Sequence, residues 1–252
     1  MTEVRAKKAL GQHFLTDQKV ARAIVDALHG GLPTLEVGPG MGVLTQYLLE
    51  RDDVDLRLIE LDSESVDYLL THFQGMQGRL MEGDFLQLKL EKIFPEKFAI
   101  IGNFPYNISS QIFFKVLDYK DSIPEVVGMV QKEVAERIAE KPGTKTYGIL
   151  SVLLQAWYDI EYVMSVGSGC FAPPPKVQSA VIRLRRNART SLGCDERLFK
   201  TVVKTAFNQR RKTLRNSLRP MIRPEIIADP VFDLRPERLG VEDFISLTLL
   251  LG

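Results

Sequence analysis

The sequence predicts an α/β fold built on a mainly parallel sheet, and three observations carry that reading. Short apolar runs suited to buried strands alternate with amphipathic stretches of helical period from residue 34 to residue 140. A glycine-rich turn, Gly38-Pro39-Gly40-Met41-Gly42, joins the first such run to a helix. Asn103-Phe104-Pro105-Tyr106 leaves the C-terminal end of another run, the edge at which open α/β sheets bind ligands. Strands alternating with helices imply right-handed crossovers between parallel neighbours.

In chain order, residues 1–17 form a basic opening with Arg5, Lys7 and Lys8, ending in Gly11-Gln12-His13-Phe14-Leu15. Gln18–Leu28 has one apolar side and Asp17 as its cap, so it reads as a helix. Thr34–Val37 is a strand, followed by the glycine turn and a helix through Leu44, Tyr47 and Leu48. Leu56–Asp62 is the next strand, with a helix over Ser65–Phe73, and Leu80–Asp84 is a weaker third strand. Phe98–Gly102 leads through the Asn103 loop into a helix over Ile108–Leu117. Val126–Val130 precedes the helical Lys132–Glu140, and a helix over Ile149–Trp157 follows. Two more strands, Ile160–Val166 and Ser179–Leu184, flank the stiff loop Phe171-Ala-Pro-Pro-Pro-Lys176. Beyond Asn187 strand signals vanish and the chain turns helical and basic, which places a domain boundary at 186/187.

The chain has 252 residues, 45% hydrophobic and 26% charged, as in an ordinary globule. No apolar run approaches the roughly 20 residues of a membrane span. Cys170 and Cys194 have no CxxC or histidine cluster beside them, so neither a disulfide scaffold nor a metal site is expected, and a reducing cytoplasm is the default. Net charge is +1, but its distribution is uneven. Residues 1–186 hold 21 Lys+Arg against 24 Asp+Glu, and residues 187–252 hold 12 against 8. Arg197–Arg223 contains nine basic residues and no acidic one, the pattern of a polyanion-binding surface or of a solvated helix face.

The glycine turn lets a ligand approach the backbone, yet it is not the Gly-x-Gly-x-x-Gly of dinucleotide sites. A cofactor without pyrophosphate, such as S-adenosylmethionine, suits it better. Gly38 and Gly40 are the close-approach positions, Glu60 at the end of the second strand can accept from ribose hydroxyls, and Asp84 after the third from an adenine amine. The Asn103 loop fits delivery of an electrophile to the amino group of a flat base. The Asn103 side-chain oxygen and the Phe104 carbonyl form an acceptor pair for that NH2, Pro105 aims the carbonyl, and Tyr106 offers a stacking face. Phe171, placed opposite Tyr106, would complete a sandwich around an extruded base.

These motifs resemble, in order, those of the bacterial small-subunit (16S) rRNA adenine dimethylases, the KsgA family. They are Gly11–Leu15, Glu36–Thr45, Ile59–Asp62, Gly102–Ser109, Gln131–Arg137, Tyr147–Val152, Phe171–Val181 and Arg210–Asn216. The resemblance implies a Rossmann-like seven-stranded S-adenosylmethionine-dependent methyltransferase domain over 1–186 and a small all-α RNA-binding domain over 187–252. It implies dimethylation at N6 of two adjacent adenosines in the 3′-terminal hairpin of 16S rRNA, within an immature small subunit, by a cytoplasmic monomer. His13, Leu15, Gly38, Glu60, Asp84 and Asn103 would contact the cofactor, and Asn103, Phe104, Tyr106 and Phe171 the target adenine. His13 stands where Asn is commoner in the family, and Phe104 where Leu is. Lys7, Lys8, Lys200, Lys204, Arg210, Arg211, Lys212 and Arg215 are the expected RNA contacts.

Were Glu196–Arg219 one helix, Lys200, Lys204, Arg211 and Arg215 would form a stripe, although Asn208-Gln209 is a candidate break. Three other readings compete: a large-subunit rRNA adenine methylase of the antibiotic-resistance type, a protein glutamine methyltransferase, and a non-catalytic ribosome assembly factor. The Tyr147–Val152 and Arg210–Asn216 segments favour the small-subunit enzyme, and the intact Asn103, Tyr106, Glu60 and Asp84 favour activity.

Overall fold

The computed structural model describes Val4, Ala6, Lys7 and residues 10–252. The elements, in chain order, are β1 (Phe14–Leu15), α1 (Gln18–Asp26), β2 (Thr34–Val37), α2 (Thr45–Leu49), β3 (Leu56–Glu60), α3 (Ser63–His72), β4 (Leu80–Glu82), β5 (Ala99–Asn103), α4 (Ser109–Asp118), β6 (Glu125–Gln131) and α5 (Lys132–Ala139). They continue with α6 (Ile149–Gln155), β7 (Tyr158–Val166), β8 (Phe171–Ala172), β9 (Ser179–Arg186), α7 (Glu196–Asn208), α8 (Leu214–Ser217) and α9 (Val241–Leu251). Aspartates start several of them. Asp17 Oδ1 accepts from the N–H groups of Lys19 and Val20, as the sequence predicts, and Asp62 and Asp195 cap α3 and α7 in the same way.

The chain divides into two compact units, residues 1–135 with 160–186 and residues 136–159 with 187–252. The first contains the seven-stranded sheet the sequence predicts, in the order β4-β3-β2-β5-β6-β9-β7. The pairs β3/β4, β2/β3, β2/β5 and β5/β6 are parallel and β6/β9 is antiparallel. Leu35, Leu56, Leu58, Ile100, Ile101, Val126 and Val127 are inaccessible to solvent, as expected of strands covered on both faces. From β2 the chain moves to one side through β3 and β4, then crosses to the other through β5 and β6. The reversal lies between β2 and β5, the switch point where open α/β sheets form a ligand crevice. With Glu36 opposite Ile101, the glycine turn after β2 and the Asn103 loop after β5 leave the sheet side by side.

The second unit is helical around Phe199, Val202, Val203, Phe207, Leu214, Phe232 and Phe244. The Phe207 ring lies 6.2 Å from Tyr147 and 5.9 Å from Phe244. Residues 136–159, expected in the first domain, belong to this unit. The reason is tertiary: α6 packs by its apolar residues against α7 and α9, contacts distant in sequence that no boundary in composition announces. The run Glu196–Arg219 is not one helix; α7 stops at Asn208, and Gln209 takes a non-helical conformation, at the pair marked as a break.

Candidate active site

One cleft in the first unit is lined by the segments 10–15, 36–41, 43–44, 59–61, 83–86 and 103–108. It holds about 1130 Å³, part of it open to solvent. His13, Leu15, Gly38, Gly40, Glu60, Asp84 and the whole Asn103–Tyr106 loop therefore meet at one place, as the sequence predicts. The two halves touch closely: a Cβ built on Gly38, whose φ is +68°, would lie 3.8 Å from Pro105. Gly40, at φ +57°, faces the Phe14 ring, which would be 2.9 Å from a Cβ there. Its lack of a side chain keeps the turn and the opening segment together.

Two carboxyl groups lie against the turn. Glu60 is 5% exposed; its Oε1 accepts from the N–H groups of Leu61 (2.8 Å) and Asp62 (2.9 Å), and its Oε2 from Gly40 N–H (3.0 Å). Burial raises its pKa, and those three donors oppose the rise. Glu36 accepts from the Thr45 hydroxyl at 2.7 Å, and burial, aided by nearby Glu60, pushes its pKa up to about 8. Because the Gly40 N–H is held by Glu60, it is not free to cradle a phosphate. The donor set fits a phosphate-free, positively charged cofactor such as S-adenosylmethionine. Asp84 caps the turn at 85–87 through a 2.8 Å bond from Leu86 N–H.

Asn103 ends β5 with its amide in a defined orientation. Its Nδ2 donates to the His13 carbonyl at 3.0 Å; that carbonyl only accepts, so Oδ1 is the atom turned elsewhere, and among the described residues no protein donor meets it. The Phe104 N–H donates to Met129 O at 3.0 Å, and its carbonyl likewise has no partner among the described residues. The Phe104 side chain is 1% exposed and lies edge-on to Phe113, with centroids 5.9 Å apart. Room for it is made by Gly102 and Gly128, where an added Cβ would come within 3.0 Å and 2.5 Å of the ring. The ring is core, so what Phe104 can offer the cleft it lines is its backbone. Tyr106 is half-buried; its hydroxyl hydrogen-bonds the Ser179 hydroxyl at 2.5 Å, and burial raises its pKa.

Three groups of expected site residues are placed otherwise. Phe171 does not line the cleft: its pairing with Leu15 across β1/β8 turns the ring into the core, where it is 4% exposed. Lys7 binds Asp62 (2.5 Å) and Glu64 (3.0 Å), an arrangement that raises its pKa, chiefly through the hydrogen bond from its ammonium to Asp62. Arg210 donates to the carbonyls of Tyr147 (3.0 Å) and Thr144 (3.4 Å), and Arg215 to Asp233 Oδ1 (2.7 Å) and the Ile227 carbonyl. These three cations are engaged within the protein. Arg211 and Lys212 are exposed, Lys200 and Lys204 are partly so, and Lys8 lies outside the described residues. Sequence pattern does not point to Ser179 or Asp62. The signal for each is its position, at the start of β9 beside the loop and two residues after Glu60.

The parallel sheet, the glycine turn with its carboxylate and the acceptor loop define a class, the S-adenosylmethionine-dependent methyltransferases. A family model of ribosomal RNA adenine dimethylases matches residues 3–232, and the chain belongs to that family. It is 62% identical over 254 residues to the ribosomal RNA small subunit methyltransferase A of Parabacteroides distasonis, covering 99% of this chain and 95% of that protein. It is 58% identical to that of Porphyromonas gingivalis, covering 100% and 99%. Among solved structures, a dimethyladenosine transferase from Plasmodium falciparum shares the fold, with a TM-score of 0.76 at 24% identity over 95% of this chain and 96% of that one. The 23S rRNA methyltransferase ErmE gives a TM-score of 0.71 at 27% identity, over 94% and 99%.

Proposed function

We propose that this protein dimethylates N6 of two adjacent adenosines in the 3′-terminal hairpin of 16S rRNA, acting as a cytoplasmic monomer on immature small subunits. One observation carries the chemistry: Asn103 Oδ1 and the Phe104 carbonyl, both without protein donors among the described residues, stand in the same cleft as the glycine turn and Glu60. An exocyclic aryl amine is a weak nucleophile because its lone pair is delocalised into the ring. Two acceptors on its N–H groups oppose that delocalisation and favour the geometry nitrogen needs in order to attack.

S-adenosylmethionine supplies an electrophilic methyl on sulfonium, with Glu60 for its ribose, Asp84 for its adenine and the Gly38–Gly40 backbone, His13 and Leu15 against the remainder. Tyr106, held by Ser179, offers the stacking face for the target base. The amine becomes acidic once alkylated and loses its proton to water or to one of the acceptors, so no strong base is needed. Monomethyladenosine keeps one N–H, and rotation about its C–N bond presents the nitrogen again. RNA positioning falls to Arg211, Lys212, Lys200 and Lys204 through phosphate contacts.

The likeness to ErmE supports a second reading, methylation of large-subunit RNA; the small-subunit relatives at 55–62% identity favour the first. Labelled methyl transfer to undermethylated small subunits, free large-subunit RNA and protein, followed by nucleoside analysis, separates them. Dimethyladenosine from small subunits alone is expected, and label in large-subunit RNA would overturn the assignment.

A further inference from the structure

His13 stands beside the acceptor loop with an aromatic ring that none of the chemistry above requires. The ring lies on Tyr106, centroids 5.3 Å apart and planes 30° apart. Stacked aromatic pairs sit about 4.5–7 Å apart, so this is a complete two-ring contact with no room for a third. The ring is held from its other edge: Nδ1 lies 2.8 Å from the Pro173 carbonyl, which only accepts, so Nδ1 carries the proton. Tyr106 is pinned through its hydroxyl to Ser179, and the His13 backbone carbonyl is fixed by Asn103. The movable part is therefore the His13 side chain. Phe171, buried in the core, does not compete for this face.

We propose that His13 is a positioning residue that occupies the stacking face of Tyr106 until the target adenine displaces it. Its planar heteroaromatic ring stands in for a base, covering the Tyr106 face when no RNA is bound. Entry of the adenine breaks the hydrogen bond to Pro173 and turns the imidazole aside, while the backbone carbonyl goes on orienting Asn103. The ring thereby sets how readily a base enters. This inference rests on the stacking role assigned to Tyr106.

The test uses His13→Asn, which removes the ring yet keeps a side-chain donor for the Pro173 carbonyl, and His13→Phe, which keeps a ring. His13→Asn is expected to lower KM for undermethylated small subunits by about three- to tenfold, the scale of one ring contact. Because His13 also lines the cofactor side of the cleft, the comparison is made at saturating S-adenosylmethionine, where the lowered RNA KM should persist. His13→Phe, which keeps the ring but not the hydrogen bond to Pro173, should raise the RNA KM back towards the wild-type value. The same order should appear in the dissociation constant for undermethylated subunits measured with S-adenosylhomocysteine, where no turnover occurs. An RNA KM that is unchanged or raised in His13→Asn, or an effect confined to the cofactor KM, would overturn the proposal. Tyr106→Leu distinguishes the two levels: a normal RNA KM in that variant would instead remove the stacking role itself.

Discussion

The cleft at the sheet edge and the basic stretch Arg197–Arg223 were equally conspicuous as sequence, and the structure treats them oppositely. In the first, residues from segments far apart in the chain converge. In the second, Arg210 and Arg215 turn inward to carbonyls and to Asp233, while Arg211 and Lys212 stay exposed. The difference is one of constraint. A residue at the C-terminal end of a buried parallel strand is placed by register, and the Glu36–Ile101 pairing sets the glycine turn beside the Asn103 loop. A stripe drawn at 3.6-residue spacing depends on an unbroken helix, and this one ends at Asn208. Long guanidinium groups near a helix end then find the nearest unpaired carbonyls.

The sharpest way to break this contrast is Asn103→Ala. It removes one of two acceptors positioned for the amine, and turnover should fall by about 10²-fold or more, with only a modest change in RNA binding. Single-turnover methyl transfer and filter binding measure the two effects. Near-normal turnover would make the cleft as loosely determined as the basic stretch.

Gly128→Ala probes the register from behind the loop. The new methyl would meet the Phe104 ring at 2.5 Å, an overpacking worth about 1–3 kcal/mol of stability. Thermal melts should show the loss. Phe104→Leu combined with Gly128→Ala should recover part of it, since the two positions share one volume. Additive losses would mean that the ring does not set the position of the loop.

Glu36 sharpens the electrostatic side. With its pKa pushed up to about 8 from an ordinary 4.5, the cofactor-free folded protein retains a proton there that the unfolded chain has already released. The folded state binds more protons between those two values, so stability is full below pH 4.5 and declines as pH rises towards 8. The slope is at most about 1.4 kcal/mol per pH unit. Denaturant unfolding of wild type and Glu36→Gln at pH 5, 6.5 and 8 should show a shallower decline in the variant. Parallel curves would mean that Glu36 is ionised in the fold.

The smallest effects separate the arginines. Arg211→Ala with Lys212→Ala should weaken RNA binding and reduce its salt dependence by about one to two units of slope, with an unchanged Tm. Arg215→Ala should do the reverse, lowering stability by about 0.2–1 kcal/mol through a half-exposed pair while leaving the salt slope alone.

Strands, the glycine turn and the acceptor loop were legible because apolar period and turn chemistry are local properties. Phe171 was legible as a motif residue but not in its direction. Its side is set by a two-residue pairing with Leu15 that is far too short to leave a pattern. Lys7 read as a free cation because its partner, Asp62, caps a helix 55 residues away. The allegiance of residues 136–159 was hidden for the same reason: the apolar contacts of α6 with α7 and α9 join segments that composition does not distinguish.

The claim on which the account turns is that one amide oxygen and one peptide oxygen hold the target amine. A crystal structure with S-adenosylhomocysteine and adenosine 5′-monophosphate tests it directly. The account predicts N6 within about 3.2 Å of both Asn103 Oδ1 and the Phe104 carbonyl oxygen, with the base on Tyr106. An amine turned to solvent, or a base bound away from residues 103–106, would contradict it.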